Sequence, residues 1–151
     1  MQLTPIQLSP CEFPPEIARL IEGASTYDSS CNITARTYYI DRDCGYFLKI
    51  AEKDFLKNEA IMFRYFNQKG ISARVHEYIS TDRDYLITEK INGSDGISQI
   101  HLDDPKRLCD VFSQSLSMLH SIDPSDCPIK GRTARMYKEA IEKYQADKSD
   151  P

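Results

Sequence analysis

No Cys-x-x-Cys pair occurs in the 151 residues, and the cysteines (Cys11, Cys31, Cys44, Cys109 and Cys127) are odd in number. That spacing argues against both a disulfide framework and a zinc site, and predicts free thiols in a reducing compartment. No window approaches the ~18 apolar residues of a membrane span. The opening MQLTPIQLSPCEFPP lacks a basic segment followed by an apolar run, so no secretory signal is expected. Basic residues are not in surplus: 19 Lys and Arg stand against 23 Asp and Glu, for a net charge of -4. A nucleic-acid partner normally requires a basic patch and is not expected. Internal repeats and low-complexity tracts are missing too. A cytoplasmic chain with neither membrane nor nucleic acid as partner is the default reading. What is present is a 40% hydrophobic fraction, enough for a core in one domain, or in a small domain plus part of a second.

Residues 1–13 read as irregular. Pro14 and Pro15 then open a short helix, EIARLIEG, closed by Gly23. Strand-like segments follow at Ala24–Tyr27, Thr34–Ile40 and Tyr46–Ala51, separated by the turns YDSSCN and DRDCG. Lys53–Gly70 reads as a helix, with Asp54 as its N-cap and Gly70 at its end. Ala73–Ile79 and Tyr85–Glu89 flank the turn STDRD and predict an antiparallel hairpin. INGSDG is linker-like. Asp104 and Pro105 then cap and open a helix whose apolar positions, Leu108, Val111, Phe112, Leu119 and Ile122, share one face. After DPSDCP a weaker helical pattern runs through Met136, Ala140, Ile141 and Tyr144. The fold class is α+β, with about five antiparallel strands and a helix followed by further helices. The shift in pattern near residue 91 predicts two units, 1–91 and 92–151.

Two charges stand where a core is expected. Along GYFLKIA, alternation puts Phe47, Lys49 and Ala51 on one face and Tyr46, Leu48 and Ile50 on the other. In the following helix Glu59 falls on the stripe of Phe55, Met62, Phe63 and Phe66, which is expected to pack on the sheet. An unpaired charge there is costly, so a Lys49–Glu59 pair resolves both placements. The plainer alternative leaves both side chains exposed and solvated.

The order of strand Lys, inward helix Glu and hairpin leading to a linker is that of a protein-kinase-like N-lobe. More specifically, KNEAIMFRYFNQKGISARVHEYISTDRDYLITEKINGSDG followed by LDDPKRLCDVFSQSLSMLHSID resembles the aminoglycoside 3'-phosphotransferases, kinase-like enzymes that inactivate aminoglycosides with ATP and magnesium. The resemblance covers the chain from about residue 20 to about 137, and DRDYLITEKINGSDG and DDPKRLCD…LHSID are its most specific parts. It implies that residues 1–91 form the nucleotide-binding N-lobe and that 92–151 form a hinge and the start of a helical C-lobe. It further implies that Lys49 holds phosphate, Glu59 holds Lys49, and Phe47 packs on adenine. Ser29 and Ser30, in the YDSSCN turn, would lie at the phosphates, where hydroxyls and backbone N–H groups can bind anions. That turn has no G-x-G-x-x-G and reads equally as an ordinary hairpin turn. Thr88, Glu89 and Lys90 match the hinge, whose backbone would meet the adenine edge.

The family also needs a catalytic aspartate in an H-G-D run and a second aspartate for magnesium. His76, His101 and His120 precede Glu77, Leu102 and Ser121, so none begins such a run. The resemblance implies that both aspartates fall beyond Pro151 and that residues 1–151 are inactive alone. Asp103 and Asp104 read as helix caps, Asp123 and Asp126 as turn residues, and His120 as structural. No catalytic or metal-binding residue is therefore assigned within the chain. Two other readings stay open: a same-fold kinase acting on another small alcohol, and a non-catalytic nucleotide-binding module that self-associates through the apolar face of the Asp104–Ile122 helix.

Overall fold

A computed structural model describes residues 3–31, 33–93, 96 and 98–149. Its centre is an antiparallel sheet of β1 (Thr4–Ile6), β2 (Ser25–Asp28), β3 (Ala35–Asp41), β4 (Tyr46–Glu52), β5 (Val75–Ser80) and β6 (Arg83–Glu89). The spatial order is β1-β2-β3-β4-β6-β5. Helix α1 (Pro15–Ile21) lies between β1 and β2 in sequence, and α2 (Lys57–Gln68) between β4 and β5. The chain continues into α3 (Gln99–Leu102), α4 (Pro105–His120) and α5 (Arg132–Ser149). This is an α+β fold compatible with a kinase-like N-lobe followed by helices.

Period-two patterning dictates both faces of the sheet. Tyr46, Leu48 and Ile50 of β4 join Ile40, Tyr85 and Ile87 in a core closed by Ile17 and Ile21 of α1. Ala51 and Leu86 face the other way, with Ala35, and meet Leu56, Ala60 and Phe63. Leu48, Ile40 and Ile87 are wholly buried, each contributing about 1.5–3 kcal/mol by removal from water. Strand β4 is thus central, pairing Lys49 with Thr37 on one side and with Leu86 on the other.

Two expectations fail here for physical reasons. The N-terminal segment is not wholly irregular: Thr4–Ile6 pairs with Thr26–Asp28 as an edge strand, and the Thr26 hydroxyl donates to the Ile6 carbonyl. Three residues around a proline give almost no periodic signal, and an edge is where a strand proline is tolerated. Helix α2 begins at Lys57, with Leu56 at the cap position, so Asp54 is not its N-cap. Asp54 instead takes φ +66° within the connection, a left-handed turn that Asp tolerates better than most residues.

Elsewhere local chemistry holds. Asp104 caps α4 through the N–H of Arg107 at 3.0 Å, with Pro105 in the first turn. Gly23 and Gly70, with φ +72° and +76°, close α1 and α2.

Candidate functional site

On the face of the sheet that carries α2, Lys49 and Glu59 form an ion pair. Lys49 Nζ donates to Glu59 Oε1 at 2.9 Å and to Oε2 at 2.8 Å. Both side chains are about two-thirds buried, at 33% and 34% exposure. Glu59 sits in the first turn of α2, where a carboxylate also meets the positive end of the helix dipole. The pair leaves the ammonium partly open, a fixed cation beside an open face.

The helix face itself is a correction. The side chains on the sheet are Leu56, Ala60 and Phe63, while Phe55, Met62 and Phe66, together with Phe63, line a cleft of about 570 Å³ with Ile129, Arg132 and Arg135. Glu59 lies at the border of these two surfaces, lining that cleft and reaching Lys49. The expected stripe spanned both surfaces, because a broad apolar arc does not reveal which part meets the sheet.

Phe47 is half-buried on the Lys49 face. Cross-strand register puts Tyr39 opposite Phe47 and Tyr27 opposite Tyr39. The rings form a row, with centroids 5.3 Å apart for Tyr39–Phe47 and 5.9 Å for Tyr27–Tyr39. Lys90 Nζ lies 5.3 Å from the Tyr39 centroid, within cation–π range. Burial, then the Asp41 carboxylate that accepts the Tyr39 hydroxyl, raise the Tyr39 phenol above its ordinary value. Gly45, at φ +84°, lets the β3–β4 turn approach: a Cβ there would come 2.9 Å from the Tyr39 hydroxyl.

At Glu89 and Lys90, expected to form part of a hinge, the backbone is already engaged. The Glu89 N–H donates to the Arg74 carbonyl and the Lys90 N–H to the Gly45 carbonyl, both at 2.9 Å. Thr88 lies within the ladder, opposite Phe47. The Glu89 side chain accepts from Arg74, and that guanidinium holds its carboxyl below the usual value.

Ser29 and Ser30 fold inward on their own hairpin. The Ser29 N–H and hydroxyl both donate to the Thr37 carbonyl, at 2.9 and 3.2 Å. The Ser30 hydroxyl accepts from the Thr37 N–H at 3.0 Å. The Ser30 N–H donates to Asp28 Oδ1 at 2.7 Å. Contacts from Ser30 hold the Asp28 carboxyl below its ordinary value, so this turn carries an ionised group of the same sign as phosphate.

Two further residues organise the surroundings: Asp84, which pattern reading did not single out, and Asp126, which it read as a turn residue. Asp84 is wholly buried. Its Oδ2 accepts the Leu56 N–H at 2.8 Å, and its Oδ1 the Ser80 hydroxyl at 2.7 Å. An aspartate directly before the apolar run YLI was the available signal. Asp126 is more than a turn residue: it accepts from Lys69 Nζ at 2.7 Å and lies 3.1 Å from the Tyr65 hydroxyl. It thereby ties the loop after α4 to the end of α2. Asp123 keeps its expected role, accepting the N–H of Ser125 at 2.9 Å. Among the described residues no group of three or more His, Cys, Asp or Glu could hold a metal ion, and no helix is long and apolar enough to cross a membrane.

No family model matches the chain. A probable aminoglycoside 3'-phosphotransferase of Lactococcus lactis subsp. lactis (strain IL1403) is 36% identical to it over 133 residues, which is 87% of this chain and 50% of that protein. The chain therefore spans about half the length of the curated relative it matches. Across most of its residues, on an N-lobe-like sheet and helix, the chain is thus similar to part of a probable aminoglycoside 3'-phosphotransferase.

Proposed function

We propose that residues 1–91 are the nucleotide-binding lobe of an ATP-dependent kinase that phosphorylates an aminoglycoside hydroxyl, and that residues 92–151 are the hinge and the first helices of the adjoining lobe. The observation that carries this reading is the Lys49–Glu59 pair, 2.8 Å apart, on the same face of β4 as Phe47. Phosphoryl transfer needs a fixed cation at the phosphate oxygens, and a carboxylate partner restricts the flexible lysine stem. Lys49 would neutralise phosphate charge, Glu59 would orient Lys49, and Phe47 would pack on adenine. With the N–H groups of Glu89 and Lys90 engaged, the adenine edge would use carbonyls at Thr88–Lys90 and N–H groups after Lys90. Ser29 and Ser30 would act through the shape of their turn more than through their hydroxyls, which already bond to Thr37.

ATP fits this set of residues: one partly open ammonium, one aromatic face and a strand end. Magnesium, when present, would be held by the phosphates and by groups outside residues 1–151. These residues contain no His-Gly-Asp run, so phosphate transfer would need an aspartate from elsewhere. The test is titration of a fluorescent ATP analogue against the chain and its Lys49→Ala variant. Binding to the first that is markedly weakened in the second is expected. Equal binding, or none to either, removes the nucleotide site. Substrate class is read in a protein carrying the His-Gly-Asp segment, by phosphate transfer to aminoglycosides and to unrelated alcohols. Transfer to the latter alone would reassign it.

A further inference from the structure

The connection between β4 and α2 decides whether Lys49 meets Glu59, because it joins the strand of one to the helix of the other. Within it the Phe55 N–H donates to the Glu52 carbonyl at 3.1 Å, and Asp54 sits in the left-handed region. No side chain of the connection caps α2. The helix start is held from outside instead. Asp84, on β6, accepts the Leu56 N–H, and Leu56 opens α2 by accepting the Ala60 N–H at 2.9 Å. Asp84 lies opposite Ala51 on β4, next along the same face as the Lys49–Leu86 pairing. One buried carboxylate thus fixes the first turn of α2, which carries Glu59, to the strand beside Lys49. The Ser80 hydroxyl fixes that carboxylate in turn.

We propose that Asp84 is a positioning residue: it sets the distance between Lys49 and Glu59, and through it the readiness of Lys49 for phosphate. The phosphate role rests on the proposed function; the distance-setting role does not. A negative group at a helix start favours the N–H groups there and the dipole. A buried carboxylate is tolerated only with partners such as these. Without it, the first turn of α2 would be held to the sheet by the apolar contacts of Leu56 and Ala60 and by the Lys49–Glu59 pair itself, with no buried hydrogen bond to fix the helix start.

The test is zero-length crosslinking of the chain with a water-soluble carbodiimide, read by mass spectrometry without nucleotide. Two contacting lysine–carboxylate pairs are compared: Lys49–Glu59, and Lys69–Asp126 as an internal reference. In Asp84→Ala the first crosslink should fall several-fold relative to the second. Asp84→Asn can still accept the Leu56 N–H while donating to Ser80, and should restore most of the ratio. An unchanged ratio in Asp84→Ala overturns the proposal. If Asp84→Ala does not fold, Asp84→Asn decides: a normal ratio supports positioning by hydrogen bond, and a parallel loss of both crosslinks makes Asp84 a general core residue and overturns it. A wild-type chain that binds no nucleotide overturns the phosphate role of the pair, and the crosslink ratio still decides Asp84.

Discussion

Glu59→Gln separates a working ion pair from a structural one. At the 2.8 Å contact, the Coulomb attraction is about 1.5 kcal/mol in water and about 6 kcal/mol at an effective dielectric of ~20. Each side chain is a third exposed, so desolvation and the ordering of the lysine stem offset most of this gain. The net contribution to folding is about 1 kcal/mol or less. The melting temperature should therefore drop by only about 2–4 °C. The effect on nucleotide should be larger. A charge-assisted contact from a correctly held ammonium contributes about 1.5–3 kcal/mol, so losing the orientation should weaken ATP-analogue binding by about tenfold or more. Thermal melts by circular dichroism and fluorescence titration, run on wild type, Glu59→Gln and Lys49→Ala, measure both. A fall in melting temperature of more than about 10 °C with unchanged affinity would refute the reasoning and make the pair a structural strut.

Burial acts to raise the Asp84 carboxyl, but hydrogen bonds from Ser80 and the backbone of Leu56 and Asp54 outweigh it and hold it below its ordinary value. A depressed folded value means that this stabilisation is present above the ordinary carboxylate value and is lost as pH falls below it. Urea melts from neutral to acid pH should show wild type losing more stability than Asp84→Asn; parallel curves would contradict this. Gly45→Ala must place a Cβ against Tyr39 at φ +84°, costing about 1–2 kcal/mol. It should also alter the near-ultraviolet dichroism of the tyrosine row. Asp126→Asn weakens the contacts to Lys69 and Tyr65; global stability should change by less than about 1 kcal/mol, while proteolysis between residues 122 and 131 quickens.

Local chemistry made most of the fold legible. β4 and its two faces follow from alternation in YFLKIA, and α4 from Asp104 and Pro105. The Lys49–Glu59 pairing was readable because both charges fell on faces otherwise apolar. What stayed hidden depends on contacts distant in sequence. Asp54 has the chemistry of a helix cap, yet the helix start is held by Asp84, 28 residues from Leu56. The engaged N–H groups of Glu89 and Lys90 follow from Arg74 and Gly45, whose proximity no spacing rule supplies. Glu59's neighbours were only half identified, because α2 meets the sheet with Leu56, Ala60 and Phe63 and meets a cleft with Phe55, Met62, Phe66 and again Phe63.

The clamp at the start of α2 has a consequence for the order of events during synthesis. Lys49 and Glu59 are ten residues apart and leave the ribosome almost together. Their alignment nevertheless awaits β6, the strand that brings Asp84 against the Leu56 N–H. A nascent chain ending within α2 would carry both charges with nothing to hold the helix start. Arrest at successive lengths should therefore show Lys49 and Glu59 aligning only after Glu89, at the end of β6, has cleared the exit tunnel. A pair of neighbouring charges thus becomes ordered only after a strand translated well behind them, which links its formation to completion of the whole sheet.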